Sequence, residues 1–199
     1  MLHVKKHRFT ACVAAAVLVG VGAAAVGGMT TASAQTTSKA PVSQAEIVVG
    51  PISEPGSPSV AQCPDGMGVI NGGYNSSSFS QSNGGEPYDG IVASAPLGHG
   101  KGWVAQLMSG RAQARAVCVP ASEAPQVAVG PTSGEHEDSD ARCPDGTSVI
   151  GGGYIAASWS RNGWGESQDE VTANAPIRDG KGWYARQFAA RVQARALCS

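Results

Sequence analysis

The chain of 199 residues carries 14 Lys and Arg against 15 Asp and Glu, and only 15% of its residues are charged. That balance excludes a basic nucleic-acid surface and an acidic solvating tail. Five cysteines and 27 glycines point to a disulfide-closed, turn-rich protein rather than a long-helix one.

The first residues read as an export signal. A short basic start, Lys5-Lys6-His7-Arg8, precedes an apolar run from Ala11 to Gly28, and Ala32-Ser33-Ala34 stands before Gln35. This is the layout of a secretory signal peptide with a small-residue cleavage site. The rival reading is a membrane anchor, because about 20 apolar residues span a bilayer. The many Gly and Ala residues make the run weakly hydrophobic, so cleavage is expected over residues 1–34. Phe9-Thr10-Ala11-Cys12 precedes the apolar run, whereas a lipoprotein box follows one, so Cys12 is expected to leave with the signal. Residues 35–45 read as a disordered leader. The remaining 11 basic and 15 acidic residues give a net charge near −4.

The rest of the chain is one segment written twice. Residues 46–119 align without a gap on 126–199 at a constant offset, and roughly 34 of the 74 pairs are identical. Residues 120–125, rich in Pro and Ala, read as a linker. Both repeats open on Val-Gly-Pro, carry Cys-Pro-Asp-Gly, pass through Ala-x-Ala-Pro and Gly-Lys-Gly-Trp, and end on Gln-Ala-Arg-Ala-x-Cys. In Cys-Pro-Asp-Gly the Pro fixes φ and Asp-Gly supplies a tight turn leading into a strand. Gly-Gly-Tyr, at Gly72 to Tyr74 and Gly152 to Tyr154, is expected to interrupt that strand with a bulge or a close backbone approach. From Arg111 to Cys118 the residues alternate, Arg, Gln and Arg on one face and Ala and Cys on the other, which predicts a half-buried strand with its Cys inward.

Cys63, Cys118, Cys143 and Cys198 form an even set in an exported chain and imply disulfides, with three pairings open to four cysteines. Duplication favours Cys63 with Cys118 and Cys143 with Cys198, because an ancestral single repeat had only its own two thiols to join. Trp103 and Trp183 recur after a Lys-Gly turn and read as core plugs. Trp159 and Trp164 lie in a Ser-, Asn- and Gly-rich stretch, where Gly84 stands opposite Trp164. With Tyr88 of the corresponding first-repeat stretch, they are the candidate ligand-binding residues, on loops 75–90 and 155–170.

Catalysis finds no support in the pattern. His99 and His136 are not repeated, no hydrolase, Walker or dinucleotide signature is present, and the cysteines lack zinc spacing, so no catalytic, cofactor or metal residue is assigned. The recurrent acidic pairs Asp65 and Asp145, Asp89 and Asp169, Glu86 and Glu166 suit an acid–base pair in principle. They read better as turn and solvated-loop residues. Glu135 to Asp140, Glu-His-Glu-Asp-Ser-Asp, offers carboxylates to Ca²⁺ but lacks EF-hand spacing and reads as a solvated loop.

The succession Cys-Pro-x-Gly, short apolar strand, Gly-Gly-Tyr, Pro after small residues, Gly-Trp and terminal Ala-x-Cys resembles a repeat of secreted bacterial proteins. It covers both repeats, and the resemblance implies an exported β domain without carrying over any site residue. The expected architecture is all-β, two tandem small antiparallel β-sandwich or barrel-like domains, each with one disulfide. The expected function is a secreted, extracellular, non-catalytic binding or structural module. Its ligand would be a cell wall, a glycan or a protein, with no nucleic acid and no membrane after signal cleavage. A secreted protease or hydrolase inhibitor is the alternative.

Overall fold

The computed structural model describes residues 44–78, 89–160 and 169–199, so the expected signal and most of the leader lie outside the described residues. The first repeat holds β1 (Glu46–Ile52), β2 (Ser59–Gln62), β3 (Met67–Ser78), β4 (Ile91–Pro96), β5 (Gly102–Leu107) and β6 (Arg111–Pro120). The second holds β7 (Gln126–Thr132), β8 (Asp138–Arg142), β9 (Val149–Ala156), β10 (Val171–Pro176), β11 (Gly182–Gln187) and β12 (Val192–Cys198). The described fold is all-β and antiparallel.

In each repeat two three-stranded sheets face one another. The order β1-β6-β3 packs on β2-β5-β4, and β7-β12-β9 packs on β8-β11-β10. Small side chains let the layers approach. On β6 the alternation runs as expected, with Ala112, Ala114, Ala116 and Cys118 fully buried and Arg115 outward. The bulk between the sheets comes from Trp103, which is 3% exposed and joins Val69 and Leu107 in one cluster.

Cys-Pro-Asp-Gly forms the tight turn in both repeats. The Met67 amide donates to the Pro64 carbonyl at 3.1 Å, and Gly66 takes a φ of 79°, a conformation that costs glycine little. The bulge falls just upstream of the paired glycines, between Val69 and Asn71, rather than on them. Strand β3 then runs straight through Gly-Gly-Tyr, so no break falls there, while the expected close backbone approach is present at Gly72 and Gly152. What the first glycine supplies is space. A Cβ on Gly72 would strike the Trp103 indole, and one on Gly152 would lie 2.5 Å from the Trp183 ring.

The bridges are Cys63–Cys118 and Cys143–Cys198, each spanning a sequence separation of 55, with Cα atoms 5.7 and 5.6 Å apart. Buried serines complete the polar accounting beside them. Ser59 Oγ donates to the Pro51 carbonyl at 2.6 Å and accepts from the Ala114 amide at 2.9 Å, and Ser139 repeats this with Pro131 and Ala194.

The repeats share a sheet. Strand β4 pairs with β9 through Ala93 with Ile155 and Ser94 with Tyr154, so that β2-β5-β4-β9-β12-β7 is one six-stranded sheet. Residues 120–125 are pinned rather than loose, with the Ala121 amide donating to the Gly66 carbonyl at 2.8 Å and a turn closing from Glu123 to Pro120. At the joint Tyr154 is 7% exposed, and its hydroxyl donates to the Ile91 carbonyl at 3.0 Å. Arg195 Nη1 donates to the Pro96 carbonyl at 2.8 Å, and burial holds its guanidinium below the ordinary arginine range. A Cβ on Gly153 would collide with the Ser94 carbonyl.

Burial first, and the nearby Tyr74 second, push the Tyr154 phenol up from 10.0 to about 12. A raised folded value means that the contribution of this group is fully present below pH 10 and is lost as the pH climbs toward 12. At about 1.4 kcal/mol per unit, the loss is about 3 kcal/mol. Denaturant titrations across that pH range are expected to show this loss in the native protein. Tyr154→Phe should lack it, while being weaker at neutral pH by the about 1 kcal/mol of one hydrogen bond.

Candidate functional site

The second repeat presents its candidate surface where β9 ends and β10 has not begun. The chain leaving β9 is tied to the turn before β12. The Ala157 amide donates to the Arg191 carbonyl at 2.7 Å, and the Arg191 amide donates back to Ser158 Oγ at 3.2 Å. Two residues on, Ser160 gives both its amide and its hydroxyl to one carboxylate oxygen of Asp169, the hydroxyl at 2.6 Å. Trp159 lies between these two anchors and is 39% exposed. Its backbone is therefore fixed on both sides while part of the indole faces water.

Asp169 corrects the solvated-loop reading of the recurrent acids. It is buried, and the main-chain carbonyl of the same residue accepts from Gln187 Nε2 at 3.4 Å. Gln187 is itself buried, and its Oε1 has no partner among the described residues. In the first repeat Leu107 occupies the equivalent place, and Asp89 accepts the Ser109 amide at 2.8 Å. Both aspartates thus brace the base of a loop, through different partners. Sequence reasoning passed over Ser160 and Gln187; the signal for the second was a core strand position changing from Leu to Gln between otherwise matching repeats.

Of the three residues expected to bind ligand, the structure places Trp159. Trp164 and Tyr88 lie outside the described residues, as do Glu86 and Glu166, so the structure does not bring the three together. The core tryptophans divide. Trp103 is sealed in, with Nε1 donating to Ser94 Oγ at 3.2 Å, whereas Trp183 is half-buried and donates to Asn174 Oδ1 at 2.6 Å. The cluster around Trp103 is completed by Leu197 and Val127 of the second repeat, while among the described residues the cluster of the second repeat receives only Ile91 in return.

The acidic stretch from Glu135 runs into β8, which corrects the solvated-loop expectation for Asp138 to Asp140, and its strand carboxylates are engaged in ion pairs. Asp138 takes Arg186 at 2.7 Å, and Asp140 lies 3.5 Å from Arg142. Among the described residues no group of three or more His, Cys, Asp or Glu converges as a metal site would require. His99 accepts the Lys101 amide through Nδ1 at 3.2 Å inside a turn, and His136 meets Phe188 edge-on with ring centroids 5.9 Å apart.

No protein-family model, no curated protein and no solved structure matches this chain.

Proposed function

We propose that the chain is a secreted, non-catalytic binding module of the extracellular space, with its recognition surface on the loop that carries Trp159. The observation that carries this reading is a large aromatic held rigid at its backbone by Ser158 and Ser160 and left partly in water. A side chain with two rotatable bonds, presented from a braced loop, offers contact area at low entropic cost. Two intramolecular disulfides are compatible with an oxidising, extracellular setting. The stacking chemistry of an indole suits a sugar ring or the apolar patch of a protein.

Retention of the purified chain on cell-wall material, immobilised glycans and candidate proteins tests this directly. Trp159→Ala is expected to weaken capture about 30-fold, the loss typical of an aromatic anchor of about 2 kcal/mol, at an unchanged melting temperature. A chain that none of these materials retains, or a variant that binds as the native protein does, overturns the reading.

A further inference from the structure

The joint between the repeats is made from two surfaces that the chain possesses twice and uses once. The receiving surface lies on β9 and β12, where Gly153, Tyr154 and Arg195 take up β4. The giving surface is β4 with Met108, which packs on Ala156 of the second repeat in a small cluster with Val92. Each surface has a counterpart in the other repeat, β3 with β6 for the first and β10 with Phe188 for the second. Among the described residues β3 pairs only with β6, and β10 only with β11.

The counterparts keep the chemistry and lack the partner. Tyr74 is 40% exposed where Tyr154 is 7% exposed. A Cβ on Gly73 meets nothing within 4 Å, whereas one on Gly153 strikes the Ser94 carbonyl. Arg115 is exposed where Arg195 binds the Pro96 carbonyl. Nearby on β1, Ile47 lies open to solvent, whereas its second-repeat counterpart Val127 is half-buried beside the turn that links β4 to β5. On the giving side Phe188 is 61% exposed at the place where Met108 is buried. Asn174 holds the Trp183 indole as Ser94 holds that of Trp103, so β10 is braced from within as β4 is.

We propose that a second copy of this chain lays its β10 edge on β3, head to tail, in the register of the internal joint, with Asn174 opposite Tyr74 and Ala173 opposite Asn75. Arg115 then reaches the Pro176 carbonyl of the incoming strand, and Phe188 covers Ser76. The ion pairs Arg142–Asp179 and Arg186–Asp138 do not block this. The first-repeat counterparts of Arg142, Asp179 and Asp138, which are Gln62, His99 and Pro58, stay exposed with the internal joint formed, which places these three charges at the rim. Because the two surfaces differ, the contact is heterologous and builds either a ring or an open string. It stands apart from ligand capture, since neither surface includes Trp159.

Sedimentation of the purified, disulfide-oxidised chain over its soluble range is the test. The native protein is expected to sediment faster as its concentration rises. Gly73→Val, whose new Cβ meets nothing within 4 Å in the isolated chain, and Phe188→Lys, at an exposed position, should each remain monomeric with native melting temperatures. Mixed together they should form a one-to-one dimer, because each variant keeps the surface that the other lacks. A native chain that is monomeric throughout, association that survives Gly73→Val, or a mixture that stays monomeric would each overturn the proposal.

Discussion

Trp103→Ala is expected to lower the unfolding free energy by about 3–5 kcal/mol. The ring is 3% exposed and lies over Gly72, which has no side chain to move into the space that the indole vacates. The other walls are strands held by backbone ladders, and the nearby alanines of β6 are too short to close the gap. The substitution also removes the donor that satisfies Ser94 Oγ, close to the pairing of β4 with β9. Trp183→Ala should cost clearly less, because the same ring in the second repeat is half-buried and its Nε1 bond is exposed. Chemical denaturation of the two variants side by side measures the difference. Equal losses would show that the tryptophan of each repeat serves its own core alone and that Leu197 and Val127 add nothing to the first.

Replacing Cys63 and Cys118 together by Ala is expected to destabilise by about 4 kcal/mol, the chain entropy released when a loop of 55 residues is no longer closed. Against the about 5–15 kcal/mol that holds a typical domain folded, this is a large share. Removing Cys143 and Cys198 should cost about the same, since that loop has the same length. The shared sheet adds a second expectation. Loss of either bridge should lower the single melting transition of the whole chain, because β4 and β9 cannot separate without exposing Tyr154, Val92 and Leu197. Calorimetry reads this as one peak moved downward. Two resolved peaks, with only the edited repeat moved, would show the repeats melting independently.

The sequence by itself determined what depends on neighbours along the chain and on duplication. Period-two alternation marked β6, since a strand turns successive side chains to opposite faces whatever lies beyond it. Pro-Asp-Gly marked its turn, because φ restrictions are local. Two matching repeats with two cysteines each marked the bridges, and a recurrent Trp marked the core. The tertiary structure alone decided how the repeats meet. Gly73 and Gly153, Tyr74 and Tyr154, and Arg115 and Arg195 are identical pairs in the sequence, yet one member of each is buried or engaged at the joint and the other faces solvent. No residue type signals that difference, because it arises from which edge lies beside which strand. The same holds for Asp169. A carboxylate in a polar, glycine-rich stretch reads as solvated until the fold brings the Ser160 amide and hydroxyl to it, and burial then becomes tolerable because these hydrogen bonds replace the lost water.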